Sequence, residues 1–304
     1  MAFRHLSDMM AQERYDILML RITDAIIQND ELVVYPNVDP EVITSSKERR
    51  EHGQSADREW LQRQLAELKA HGFATVAHPR CPLEFLTGDV CPIFVLNDGK
   101  RYTVSFYRGI WPKGWIIPGG CAGAIEDIFD PIKLAARECA EELLIMDDQD
   151  NFYSLGLPQN EVMARLNQYG IKQINEIKPV EIRILPPLPG HAKRIRLVWR
   201  GEERIIAENT TILIDPLNVS IPITVYWEIR LPLSLEQIRI FDGETFSDGR
   251  VINRPVRLIN SFEVFFLSDH NVLASAVDGG WLSEMARYRV QDPTMPEEEQ
   301  LPIP

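Results

Sequence analysis

The side chains best suited to chemistry in this 304-residue chain stand close together. They lie in Arg137-Glu138-Cys139-Ala140-Glu141-Glu142-Leu143-Leu144-Ile145, which follows Gly119-Gly120-Cys121-Ala122-Gly123-Ala124-Ile125-Glu126. Asp130-Pro131 supplies a good N-cap and a residue pre-set for the first helical position, so a helix is predicted from there to about Leu144. At roughly 100° per residue Ile132, Ala136, Cys139 and Leu143 share an apolar stripe, while Glu138, Glu141 and Glu142 share a separate arc. Arg137 can pair with Glu141 one turn on, and Glu126 could add a fourth acid to the patch. Like charges about 4 Å apart repel by roughly 4 kcal/mol at an effective dielectric near 20, so this density is costly without a cation. Oxygen donors with no Cys or His among them suit Mg²⁺ or Mn²⁺ rather than zinc. Glutamates at this spacing are also what a solvated helix face looks like, so spacing alone decides nothing.

The elements that must position these acids are partly legible. Ile93–Leu96 and Tyr102–Arg108 flank Asn97-Asp98-Gly99-Lys100, a strong hairpin signal. Trp111–Ile117 leads into the glycine loop, where Gly119 and Gly120 permit a tight turn and let backbone N–H groups approach a phosphate. Beyond the acids a helix is predicted at about Gln159–Tyr169. Strands are predicted at Val180–Leu185, Arg194–Arg200, Arg204–Ala207 and Thr211–Ile214, with Gly201-Glu202 as a turn. Arg194 and Arg196 share a strand face. They form a positive strip that could hold substrate phosphates or pair with Glu202, Glu203 and Glu208. Ile223–Leu231 and Val256–Leu267 read as strands, and a helix interrupted at Asp278-Gly279-Gly280 is expected between Asn271 and about Arg289. Helical spacing of Met9, Tyr15, Leu18, Ile22 and Ile26 predicts a long amphipathic helix from Leu6 to Ile27, and a second helix spans about Ala56–Ala70. The expected organisation is a helical N-terminal extension at 1–90, a domain at 91–290 with a β-rich insertion at about 178–216, and a flexible acidic, proline-rich tail at 291–304.

The formal charge of −13 argues against a nucleic-acid partner. Cys81, Cys91, Cys121 and Cys139 lack zinc-type spacing and read as reduced thiols of a cytoplasmic protein. Charges interrupt every apolar stretch near the start, so neither a signal peptide nor a membrane span is expected there. The long first helix could support a homodimer.

The glycine loop and the acidic run together resemble the Nudix box: Gly, five residues, Glu, seven residues, then Arg-Glu-apolar-any-Glu-Glu-any-Gly-apolar. Gly120, Glu126, Arg137, Glu138, Cys139, Glu141, Glu142 and Ile145 match. The resemblance is clear over about Tyr102–Ile145, including the approach Gly114-Trp115-Ile116-Ile117-Pro118. Two departures stand out: ten residues rather than seven separate Glu126 from Arg137, and Leu144 replaces the terminal Gly, so the helix is expected to run on toward Asp147 and Asp148. The resemblance implies an α/β (α+β) fold, a Nudix-type α/β/α sandwich with a mixed sheet. It also implies Mg²⁺-dependent hydrolysis of the diphosphate linkage in a nucleoside diphosphate joined to another group.

By position, the resemblance assigns Glu138, Glu141 and Glu142 to the metal, with Glu126 as a ligand or a water-mediated contact. Arg137 orients the acids, Gly119 and Gly120 shape the loop, and Arg108 is a candidate phosphate contact. The water-activating base is Glu138 or an acid outside the box, with Glu244 and Glu263 in view. Trp111, Trp115, Trp199, Tyr226 and Trp227 could stack on a base or belong to the core. Two alternatives accompany the hydrolase: a binding or regulatory module on the same fold, and an isoprenoid-diphosphate isomerase with Cys121 as its proton donor.

Overall fold

The computed structural model describes residues 18–20, 22–28, 31–36, 43–45, 85–108, 114–186, 192–212, 220–246 and 248–260. The helices expected at 56–70 and 271–289, the tail at 291–304, and Glu263 and Trp111 lie outside them. The strands are β1 Leu18–Leu20, β2 Ile22–Gln28, β3 Glu31–Pro36, β4 Ile43–Ser45, β5 Phe85–Val95, β6 Arg101–Arg108, β7 Gly114–Ile116, β8 Gly119–Cys121 and β9 Leu143–Met146. They continue as β10 Phe152–Ser154, β11 Ile177–Pro179, β12 Glu181–Leu185, β13 Ala192–Trp199, β14 Glu202–Ile212, β15 Ser220–Arg230, β16 Arg239–Asp242 and β17 Val256–Asn260. The described helices are α1 Ile125–Phe129, α2 Pro131–Glu142 and α3 Gln159–Asn167. The protein is therefore mixed α+β, with sheets that combine parallel and antiparallel strands.

Two long parallel strands, β5 and β15, run side by side over their full length at the centre of the large sheet. Each pairs over short stretches with two antiparallel partners in succession along its outer edge: β8 then β6 beside β5, and β14 then β12 beside β15. The expected hairpin joins β5 to β6, with Gly99 at φ 76° and the Leu96 N–H bonded to the Lys100 carbonyl at 3.1 Å. β5 begins at Phe85, well before the predicted start at Ile93; Gly88 and Pro92, residues that weaken a strand reading, concealed its first part. Gly88 has a packing reason. A Cβ there would lie 2.6 Å from the Ala135 nitrogen and 2.8 Å from the Pro131 carbonyl, so only glycine lets α2 press onto β5.

The small sheet, in the order β11-β10-β9-β16, is buried on both faces at β9. Leu143 and Ile145 join the core formed with Val90, Phe94, Phe106 and Trp227 of the large sheet. Leu144 and Met146 join the one formed with Val162 and Leu166 of α3. That period-2 division corrects the expectation that the helix continues toward Asp147. Four consecutive large apolar side chains are covered on both sides only when extended, so the backbone leaves α2 at Leu143 directly into a strand.

A second correction concerns the N-terminus. Leu18–Leu20 and Ile22–Gln28, expected to be helical, are strands. β2 pairs antiparallel with β3, and β3 pairs in parallel with β13, extending the large sheet. Apolar residues four apart satisfy a helix template. The β-branched density of Ile22, Thr23, Ile26, Ile27, Val33 and Val34 and a distant partner at 194–197 win instead. Of the four strands expected within 178–216, the first two are present as β12 and β13, while Arg204–Ala207 and Thr211–Ile212 belong to a single strand, β14. No helix among the described residues is long and apolar enough to cross a membrane.

Candidate functional site

The Asp130 carboxylate accepts from the Lys133 N–H at 3.1 Å and, with Pro131, starts α2 where the sequence indicated. The face that α2 buries is rotated from the expected stripe. Leu134, Ala135, Cys139, Ala140 and Glu142 are buried, whereas Ile132 and Ala136 are only half-buried. The three glutamates therefore do not share one exposed arc: Glu138 and Glu141 are half-buried, and Glu142 is 2% exposed. Burying an acid beneath a helix requires partners, and Glu142 has them. Its Oε2 accepts from the Gly119 N–H at 3.1 Å, and its Oε1 lies 3.2 Å from Arg254 Nη2.

Gly119 and Gly120 lie in β8, and neither takes a positive φ, so the turn argument does not account for them. Close approach does. A Cβ on Gly120 would collide with the Glu138 carboxylate, and one on Gly119 with the Asp89 carboxylate. Gly120 thus opens the space in which Glu138 sits. Since neighbouring residues of a strand face opposite sides, Cys121 projects away from Glu138.

The residues between Glu126 and Arg137 fold as α1 followed by the α2 cap rather than as an open loop. The Asp127 carboxylate accepts from Gly123 N–H at 3.0 Å and Ala124 N–H at 3.1 Å, and stands 3.3 Å from Arg137 Nη2. Arg137 also donates to Glu138 at 2.9 Å, so its direct partners are Asp127 and Glu138 rather than the expected Glu141. Glu126 is exposed on α1, and the acid of that segment whose charge acts on Glu138 is Asp127. Arg108 ends β6, with its side chain outside the described residues.

Glu244 is the acid that the fold adds. It follows β16 in Asp242-Gly243-Glu244, and its charge acts on Glu138, Glu141 and Glu142 together. Burial first, then the nearby Glu141 and Glu244, push Glu138 from its usual range up to about 8, against the opposing pull of Arg137. Burial likewise raises Glu141, with Arg137 and Arg165 opposing and Glu244 reinforcing. Glu142 is raised by burial despite Arg254 and shares a hydrogen bond with Glu244.

Sequence reasoning named Glu244 but missed what holds it. The buried Asp242 carboxylate accepts from the Arg254 N–H at 2.7 Å, Nε at 3.0 Å and Nη2 at 2.8 Å, and from the Glu244 N–H at 3.0 Å. Arg165 Nε of α3 donates to the Gly243 carbonyl at 3.0 Å, and the Tyr169 hydroxyl donates to the Asp242 carbonyl at 2.6 Å. The one usable signal was Phe241-Asp242-Gly243-Glu244 itself, acids about a glycine after an apolar strand. Nothing in Asn253-Arg254-Pro255 marks the arginine.

The positive strip is spent locally. Arg196 bonds Glu203 at 2.7 Å and Glu31 at 2.9 Å, and Arg194 stands 3.2 Å from Glu208. Tyr226 and Trp227 are buried in the sheet, and Trp199 packs edge-on against Phe129.

All-oxygen donors suit a hard divalent cation. Among the described residues, however, no three His, Cys, Asp or Glu side chains are already gathered as a ligand set. The fold and this cluster together define a mixed α+β protein whose central helix presents acids to a buried arginine. No family model matches the sequence, and no curated protein matches it. Among solved structures, a C. elegans Ap4A hydrolase in a binary complex aligns with a TM-score of 0.28 and 11% identity, over 63% of this chain and 91% of that one. Similarity at that level carries no functional argument.

Proposed function

We propose that this protein is a Mg²⁺- or Mn²⁺-dependent hydrolase of the Nudix type that cleaves the diphosphate linkage of a nucleoside diphosphate joined to another group. The observation that carries the reading is the surplus of acid. Glu138, Glu141 and Glu244 act on one another, burial and mutual repulsion push Glu138 up to about 8, and the buried Arg254 is already engaged by Asp242 and Glu142. A divalent cation among these carboxylates would offset both the burial and the repulsion. The sequence pattern from Gly120 to Ile145 supplies the second support.

Glu138, Glu141 and Glu244 would hold the cation, drawing together as it binds, with Glu126 on the exposed side. Glu142 is the last residue of α2 and locks the helix to Gly119 and Arg254, beneath the other acids. A divalent ion in such a setting offsets the negative charge of phosphate oxygens and lowers the pKa of a bound water. Of the two described candidates for the water-activating base, Glu138 is supported by its half-buried position against Gly120, beside Arg137. Arg137 orients Glu138 from the side of Asp127.

The test is a panel of nucleotide sugars, dinucleoside polyphosphates and nucleoside triphosphates assayed with Mg²⁺ and with Mn²⁺. Metal-dependent product release is expected, and Glu141→Gln should lose about 3 kcal/mol of transition-state stabilisation, roughly 100-fold, with the fold retained. Undiminished turnover in that variant overturns the assignment. Ligand binding without turnover across the panel would favour a binding module on the same fold.

A further inference from the structure

We infer that Arg254 is a positioning residue: its buried guanidinium fixes the Asp242-Gly243-Glu244 turn and so delivers Glu244 to Glu138 and Glu141. The functional half of this inference rests on the hydrolase reading above; the structural half does not.

Arg254 lies just before β17, between Asn253, which takes a left-handed φ of 60°, and Pro255, whose carbonyl accepts from the Tyr107 N–H at 2.8 Å. Its backbone is thus held on both sides. Its side chain is 4% exposed and stacks over the Phe106 ring at 4.8 Å, so the guanidinium enters an apolar core where an unpaired charge would be very costly. The fork settles on Asp242 through two nitrogens, while the Arg254 N–H takes the same carboxylate. Planar, bidentate pairing of this kind fixes direction as well as distance, which an ammonium cannot reproduce.

Two consequences follow from that fixed carboxylate. Asp242 Oδ1 is aimed at the Glu244 N–H, closing the turn, and the turn is completed by Gly243 N–H to the Glu142 carbonyl at 2.7 Å and by Ile252 N–H to the Glu244 carbonyl at 2.8 Å. Gly243 is needed for this approach, since a Cβ there would collide with the Glu141 carbonyl. Nη2, besides donating to Asp242, stands 3.2 Å from Glu142 Oε1, and Nη1 stands 3.9 Å from Glu244 Oε2. One arginine therefore ties the last acid of α2 to the acid after β16, two elements that no local sequence relation joins.

The test compares Arg254→Lys, which keeps the charge and loses the fork, with Arg254→Met and Glu244→Gln. Backbone hydrogen exchange at Gly243, Glu244 and Ile252 is followed without metal or substrate, and kcat and KM are measured with the best substrate of the panel. Expected for Arg254→Lys are exchange at those amides at least about 10-fold faster, with amides of β5 and β15 unchanged. A kcat lowered about 30-fold or more with KM within about 3-fold is expected as well. Adding Glu244→Gln to Arg254→Lys should cost less than about 3-fold further, because both act through the same carboxylate. Unchanged exchange at Gly243 and Glu244, or losses that multiply in the double variant, overturns the inference. If Arg254→Met fails to fold, Arg254→Lys decides alone. Faster exchange in a protein that hydrolyses none of the panel sustains the role of Arg254 in the turn and removes the hydrolase reading.

Discussion

Two arginines in this molecule each gather carboxylates, and the contrast between them separates scaffolding from a site. Arg196 lies on β13, partly exposed, between Glu31 of the neighbouring strand and Glu203 of the next. Arg254 lies in the core among Asp242, Glu142 and Glu244, with Glu138 and Glu141 beyond them. Around Arg196, water screens what is left over, and the pairing stitches adjacent strands. Around Arg254 burial removes that screening, so the excess acid is stored as a raised affinity for protons. A cluster of charges marks a site when it is both desolvated and unbalanced; one cation against two carboxylates leaves the Arg196 cluster unbalanced but solvated, whereas the Arg254 cluster meets both conditions.

The largest effect that tests this contrast is on stability. Asp242→Ala leaves the Arg254 guanidinium buried without its main partner and should cost about 3–5 kcal/mol, measured as the urea midpoint at constant slope. A loss below about 1 kcal/mol would mean that the guanidinium is not desolvated. Next, Gly120→Ala forces the Glu138 carboxylate out of its place against β8. Displacement by about 1 Å at a reacting group can cost about 100-fold in kcat, while stability should change far less than in Asp242→Ala. Smaller again is a pH effect. Glu138 binds a proton up to about 8 in the folded chain against about 4.5 when free, so the stability it lends is fully present below about 4.5 and is lost as pH rises through 8. In chelator, the melting temperature should fall between pH 5 and 8.5, Mg²⁺ should restore it at pH 8.5, and Glu138→Gln should flatten the slope. The smallest effect belongs to Arg196→Ala, a slight loss of stability that vanishes in high salt.

The sequence showed the chemistry more clearly than its support. Asp130-Pro131, Asn97-Asp98-Gly99-Lys100 and the acids of α2 were legible because caps, hairpin turns and charge spacing are local properties. Glu244 was visible as a candidate because it follows an apolar strand and a glycine. Arg254 was not, since its value comes from a carboxylate 12 residues away and a helix more than 100 residues away. The same cause misled the reading at Leu18–Gln28, where a pattern compatible with a helix was overruled by pairing of β2 with β3, itself held against β13, and at Leu143–Met146, where burial on two sides overruled helix continuation. Gly119 and Gly120 were singled out for a turn they do not make; the collision each avoids is with a side chain remote in sequence.

The place of β3 against β13 has a practical side. The hydrogen-bonding edge of β13 that faces away from β14 is closed by residues 31–34, so a shortened chain begun near residue 80 would present a bare strand carrying Ile195 and Leu197 to its neighbours in solution. Two such molecules could complete each other's edges, and a dimer or aggregate of that origin would reflect the trimming rather than any natural partnership.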